Sequence, residues 1–222
     1  MAGGGQPMFT GLVECTAKIV SARRSGDMVE MEIGDVPFAG ELKRGDSVSV
    51  SGACLTVVVP GRNSFTVEMM PETFDNTLFS KTGPGYRVNL ERAMAATGRF
   101  EGHIVTGHVD LVSMVVALKS HGKSRELDFT LPVDAAGLVA RKGSVAVQGV
   151  SLTVIERGDS FFRVGLIPET LKFTTLGELK IGDPVNLEYD ILSKYLKDLL
   201  ESRTLQVDDR LTMDRLAEMG WS

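Results

Sequence analysis

The sequence predicts an all-β protein, a tandem duplication of a small six-stranded antiparallel barrel followed by a C-terminal α-helix. Three observations lead there. First, the chain repeats itself: Val48–Val57 lies over Val145–Val154 at an offset of 97 residues, with six of ten positions identical. The register extends outward, because Phe65–Thr73 matches Phe162–Thr170 and Val88-Asn-Leu-Glu91 recurs as Val185-Asn-Leu-Glu188. Near the start of each copy, Phe9–Glu14 answers Val105–Asp110. Second, both copies consist of short alternating or β-branched runs punctuated by Gly, Asp, Asn and Pro, the pattern of a small barrel or sandwich. Third, so long a period describes a whole domain, since solenoid units span only ~20–50 residues.

Taken in order, residues 1–7 carry neither the apolar core of a signal peptide nor transit-peptide arginines, and are read as a flexible leader. The first barrel spans residues 8–96, with strand runs at Leu12–Val20, Met28–Ile33, Ser47–Val59, Ser64–Met70 and Arg87–Leu90. A short helical turn is expected at Thr73–Leu78. The polar, glycine-containing stretch Ala93–Glu101 connects to a second barrel over residues 103–190. Its runs are Ile104–Leu118, Ser124–Leu131, Ser144–Ile155, Phe161–Ile167 and Pro184–Tyr189, with the matching turn at Thr170–Leu176. Residues 191–222 form a helix and tail. There the period changes: Leu192, Tyr195, Leu196, Leu199 and Leu200 make one apolar helical stripe. Such a stripe either packs back on a barrel or meets the same helix of other subunits. A second short helix is expected at Leu211–Met219.

Composition narrows the function. A net charge of −5, without a basic cluster, argues against nucleic acid, and no apolar run reaches the ~20 residues of a membrane span. With only Cys15 and Cys54, the chain is no disulfide scaffold, and a reducing, cytoplasmic setting is expected.

The differences between the copies carry the chemistry. If the repeated run is one unbroken strand, Val48, Val50, Gly52, Cys54 and Thr56 share a face, as do Val145, Val147, Gly149, Ser151 and Thr153. Cys54 then occupies the place of Ser151, so two sites of similar shape hold a thiol and a hydroxyl; alternatively, Cys54 is a small core residue. His103 and His108, five residues apart on an extended strand, point to opposite faces, and the third histidine, His121, is distant; no metal site is expected. His103 is read as a structural polar residue. His108 is of more interest, because copy one has Leu12 there. No Gly-rich phosphate loop, nucleophile elbow or carboxylate pair is present, so no cofactor is expected. The recurring hydroxyls Thr56, Thr73, Ser151, Thr153 and Thr170 suit a neutral ligand rich in hydroxyls or amides.

Six motifs in order, Met8–Glu14, Ser51–Val57, Val88–Arg92, Gly102–Asp110, Gly149–Val154 and Ile167–Thr170, closely resemble the riboflavin synthase alpha-chain family over roughly Met8 to Glu201. The resemblance implies two six-stranded barrels, a C-terminal helix and a homotrimer held by those helices. It also implies a cofactor-free dismutation in which two molecules of 6,7-dimethyl-8-ribityllumazine give riboflavin and a ribitylamino-pyrimidinedione by four-carbon transfer. The active site would lie between copy one of one subunit and copy two of a neighbour. On the same basis Cys54, Ser47 and His108 are the expected catalytic residues. Met8, Phe9, Thr10, Gly11, Val13, Thr56, Met70, Thr73, Gly107, Ser151, Thr153, Ile167 and Thr170 are the expected binding residues, with Met8 and Phe9 closing the site. An association with lumazine synthase is a further expectation. The rival reading is a non-catalytic lumazine- or flavin-binding antenna protein, which would keep the copy-one pocket and lose the catalytic residues.

Overall fold

A computed structural model describes residues 7–204. In the first copy the strands are β1 (Cys15–Ser25), β2 (Met28–Gly34), β3 (Ser47–Val50), β4 (Ala53–Pro60), β5 (Ser64–Met69) and β6 (Arg87–Arg92). The second copy supplies β7 (Leu111–His121), β8 (Ser124–Thr130), β9 (Ser144–Val147), β10 (Val150–Arg157), β11 (Phe161–Leu166) and β12 (Pro184–Tyr189). Each set closes into an antiparallel barrel with equivalent neighbours: β1-β2-β5-β4-β3-β6 and β7-β8-β11-β10-β9-β12. Short helices α1 (Pro71–Asp75) and α2 (Pro168–Phe173) follow the fifth strand of each copy, started by a proline that pre-sets the backbone. Closure leaves no free sheet edge, and alternate residues fill each interior. Val48, Leu55, Val57, Phe65 and Val67 line the first core, matched by Val145, Leu152, Val154, Phe162 and Val164 in the second.

Two expectations change here. The run Ile104–Leu118 is a strand only from Leu111, because left-handed Gly107 (φ 77°) turns the entry segment that carries His103 and His108. The run Ser47–Val59 is two strands, because Ser51 (φ 44°) and Gly52 (φ 88°) form a two-residue hairpin turn with both central φ positive. Gln148 (φ 52°) and Gly149 (φ 76°) do the same in copy two. Crossing such a turn reverses the parity of the faces. Cys54 therefore lies beside Ser49, and Thr56 beside Ser47, while Val48 pairs with Leu55 on the buried face.

The barrels join through a seam with near two-fold symmetry. The buried amide of Asn89 accepts from Thr175 N–H (2.8 Å) and donates to the Gln148 carbonyl (2.9 Å). Asn186 mirrors it, accepting from Leu78 N–H (2.8 Å) and donating to the Ser51 carbonyl (2.9 Å). Phe9 and Val105, equivalent residues of the two copies, exchange backbone hydrogen bonds of 2.8 and 3.1 Å across the seam. Thus the repeated Val-Asn-Leu-Glu motif is in part a fastener between domains.

The last element, α3 (Ile191–Thr204), leaves the second barrel at Asp190, whose carboxylate accepts from Leu192 N–H at 3.0 Å. Lys194 pairs with Asp110 at 2.7 Å and Lys197 donates to the Asp134 carbonyl at 3.0 Å. These polar ties leave Leu192, Tyr195, Leu196, Leu199 and Leu200 between 58% and 67% exposed. The stripe does not fold back on a barrel. Leu211–Met219 lies outside the described residues.

Candidate functional site

Two outward-facing half-sites arise from the same hairpin in each copy. Along β4, Ala53, Leu55 and Val57 turn into the barrel while Cys54 and Thr56 turn out. Along β10, Val150, Leu152 and Val154 turn in while Ser151 and Thr153 turn out, with Ser144 opposite Thr153 as Ser47 is opposite Thr56. The equivalence of Cys54 and Ser151 therefore stands, but the face they share is the outer one.

Each outer strand is backed by the entry segment of the other copy. Cys54 N–H donates to the Gly107 carbonyl at 2.9 Å, and Ser151 N–H donates to the Gly11 carbonyl at 2.8 Å. Both glycines are left-handed (φ 77° and 78°) and lie against the partner strand; a Cβ on Gly11 would sit 2.6 Å from Ser151 Cβ. Only glycine fits there. Buried carboxylates pin the segments: Glu188 accepts from Thr106 N–H (2.7 Å), Thr106 Oγ1 (2.7 Å) and Gly107 N–H (3.0 Å). Glu91 accepts from Thr10 N–H (2.7 Å), Thr10 Oγ1 (2.9 Å) and Gly11 N–H (3.0 Å). Burial pushes both carboxyls above the usual carboxylate range, and these hydrogen bonds pull them partly back. Sequence reasoning missed this role of Glu91 and Glu188, although their recurrence was the available signal.

The half-sites are unlike in their polar neighbours. Burial raises the Cys54 thiol, the Ser47 hydroxyl draws it partly down, and the Glu188 charge raises it again. Its resting form at neutral pH is therefore the thiol. Ser47 also opens onto a cleft of about 270 Å³ lined by Glu41, Leu42, Asp46, Arg92 and Ala93, which does not reach Ser151. In the second half-site, Ser151 Oγ lies 2.7 Å from Nδ1 of buried His103.

The remaining expected residues fall into three settings. Thr56, Thr153, His108 (one residue beyond Gly107), Met8, and Met70 and Ile167 at the starts of α1 and α2 are exposed. Thr73 and Thr170 are half-buried, and their carbonyls accept from the hydroxyls of Thr77 (2.8 Å) and Thr174 (2.7 Å). Inside the seam are Thr10, on Glu91, and Val13, which packs on the second barrel's core. Phe9, expected with Met8 to close the site, is 0% exposed and packs with Val105 and Ala146 between the barrels. Its ring fills the seam between the two copies.

A duplicated barrel with a small polar half-site on the outer face of each copy defines a class of bipartite proteins, with two similar outer sites that differ in their polar groups. The Lumazine binding domain family matches residues 10–93 and 106–190, the two barrels in turn. The chain belongs to the riboflavin synthase family. It is 37% identical over 215 residues to the riboflavin synthase of Actinobacillus pleuropneumoniae, covering 96% of this chain and 100% of that protein. With the riboflavin synthase of Bacillus subtilis it shares 37% identity over 218 residues, covering 96% and 100%. With that of Mycobacterium tuberculosis (strain H37Rv) it shares 39% over 199 residues, covering 88% and 99%. Among solved structures, LumP complexed with riboflavin superposes with a TM-score of 0.74 at 24% identity, covering 82% of this chain and 99% of that one. LumP complexed with 6,7-dimethyl-8-(1'-D-ribityl) lumazine gives 0.73 at 22%, covering 82% and 98%; both likenesses concern the fold.

Proposed function

We propose that this chain is a riboflavin synthase, a transferase that converts two molecules of 6,7-dimethyl-8-ribityllumazine into riboflavin and 5-amino-6-ribitylamino-pyrimidinedione. One lumazine gives a four-carbon unit to the other. The observation that carries the reading is the pair of equivalent outer half-sites with unlike polar groups, Cys54 with Ser47 and Ser151 with His103. Two copies of one substrate need similar cradles, and a dismutation needs those cradles to differ. Holding two flat rings face to face supplies much of the rate, since ideal orientation is worth up to ~7–11 kcal/mol. The 7-methyl group of the substrate is acidic through its conjugated ring, so a modest base suffices. Cys54 acts as nucleophile or as helper to an attacking water on the acceptor ring, with Ser47 and His108 moving protons. Thr56, Met70 and Thr73 line the first half-site, and Ser151, Thr153, Ile167 and Thr170 line the second.

Both half-sites face outward, and among the described residues the α3 side chains Leu192, Tyr195, Leu196 and Leu199 stay exposed. These two facts support a homotrimer in which α3 helices pack together and barrel one of one subunit meets barrel two of the next. Covering the stripe contributes on the order of 1–2 kcal/mol per large side chain. Two unpaired cysteines suit a reducing cytoplasm. Delivery of substrate through contact with lumazine synthase belongs to the same proposal.

Incubating purified protein with the lumazine tests the function. Two lumazines should disappear per flavin formed, without added metal, nucleotide or redox cofactor and without loss to EDTA. A requirement for a nicotinamide, or a bound fluorescent ligand with no turnover, would overturn it; the second result is what an antenna protein gives.

A further inference from the structure

One buried polar side chain of the second half-site stands apart from the residues given roles above. His103 is 7% exposed, and its Nε2 has no hydrogen-bond partner among the described residues. Its position is firmly set, because His103 N–H donates to the Thr10 carbonyl at 3.2 Å and Thr10 is clamped by Glu91. The ring's Nδ1 meets Ser151 Oγ at 2.7 Å. Copy one has Pro7 at the matching position, so the imidazole contact of Ser151 has no counterpart at Cys54. This contact is therefore one of the few polar differences between two otherwise matched half-sites.

Proton accounting gives the contact a direction. Burial holds the imidazole below the usual histidine range, so it is neutral near pH 7, with one N–H and one bare nitrogen. A buried N–H without a partner is rarer than a bare acceptor, which places the proton on Nδ1 and leaves Nε2 bare. Nδ1–H then donates to Ser151 Oγ. The serine has a single proton of its own, and that proton turns away from His103, toward the outer face that carries Ser151 and Thr153.

We propose that His103 is a positioning residue: it holds Ser151 so that the serine O–H points outward, making the second half-site a hydrogen-bond donor to a carbonyl oxygen or ring nitrogen of the bound heterocycle. The first half-site, with Pro7 in that place, lacks this fixed polarity. The inference rests on the reading above, in which Ser151 faces ligand.

Riboflavin, titrated into the full-length protein, is the probe. His103→Phe keeps the ring volume and removes the donor, and should weaken one class of riboflavin sites by about 10-fold. His103→Asn can place an amide N–H where Nδ1 lies, and should stay within about threefold of the parent. In a double-mutant cycle, His103→Phe with Ser151→Ala should bind no worse than Ser151→Ala alone, because His103 acts through that serine. Nitrogen-15 NMR of labelled histidine should show the His103 proton on Nδ1, with its resonance moved by riboflavin, a response that a purely structural ring lacks. Additive losses in the double variant, a proton on Nε2, or parental affinity in His103→Phe would overturn the proposal. If Ser151→Ala weakens binding and His103→Phe does not, this inference alone fails. If Ser151→Ala changes neither binding nor turnover, the assignment of the half-site fails with it. Should His103→Phe not fold, the asparagine variant and the proton position still decide.

Discussion

Replacing Gly107 by alanine tests the link between seam and site. Gly107 is left-handed (φ 77°), and an added Cβ would lie 2.8 Å from Cys54 N and 2.9 Å from Cys54 Cα. Carbon contacts relax near ~3.5–4.0 Å, so Cys54 or the Gly107 segment must move by about 1 Å. Glu188 holds that segment by two backbone N–H groups and a hydroxyl, so the segment resists and the strain falls on Cys54. A displacement of about 1 Å at reacting groups is worth on the order of 10²-fold in rate. The backbone penalty alone, ~1–2 kcal/mol for a non-glycine residue in the left-handed region, needs a control. Gly122 supplies it, since it has φ 60° in the β7–β8 turn and nothing within 4 Å of an added Cβ. Gly107→Ala and Gly122→Ala should both lose some thermal stability, and only Gly107→Ala should lose turnover, by about 100-fold. Steady-state flavin formation and melting curves on both variants decide. Equal turnover in the two would refute the claim that the second copy's entry segment positions Cys54.

Four further outcomes follow from the same geometry. Because Cys54 is raised by burial, its thiolate fraction grows only as pH climbs past the ordinary thiol range. Iodoacetamide labelling of Cys54 should therefore be slow at pH 7 and rise into the alkaline range, slower still for Cys15, which burial and Glu14 push up to about 11; rapid labelling of Cys54 at pH 7 would mean an activated thiolate instead. Cys54→Ser should cut turnover at least ~10-fold, a barrier change of ~1.4 kcal/mol, while Cys15→Ser stays within about twofold. Ending the chain after Tyr189 removes α3 and should leave monomers or dimers with little activity, which light scattering checks. Phe9→Ala empties a fully buried position in the seam and should cost ~3–5 kcal/mol of unfolding free energy, with little change if the seam is loose.

Much of this molecule was legible in its sequence because the repeat doubles every local signal. The equivalence of Cys54 with Ser151 and the stripe from Leu192 to Leu200 came from register and period alone, which local sequence carries well. The hairpin inside Ser47–Val59 was not separated, because valines on both sides of Ser51-Gly52 read as one strand. The glycine after a small polar residue was the sign of a turn, and missing it reversed which face Cys54 shares with its neighbours. Contacts of the seam were beyond reach for a different reason. Glu91 meets Thr10 across 81 residues, and Asn186 meets Ser51 across 135, distances that periodicity does not encode. For the same reason Phe9, expected from the resemblance to lie near the site, gave no hint that its ring fills the joint between barrels.

The proposal that barrel one of one subunit works with barrel two of its neighbour has a direct test in mixed assemblies. Cys54→Leu blocks the first half-site and Ser151→Leu the second, and each variant alone should be nearly inactive. In a head-to-tail ring assembled from equal amounts of both, about one quarter of the interfaces would join two intact half-sites. Turnover measured on the co-assembled sample, against each variant alone, should recover to about that fraction of the parent. If both variants assemble together and no activity returns, the two half-sites act within one chain and the intersubunit site is contradicted.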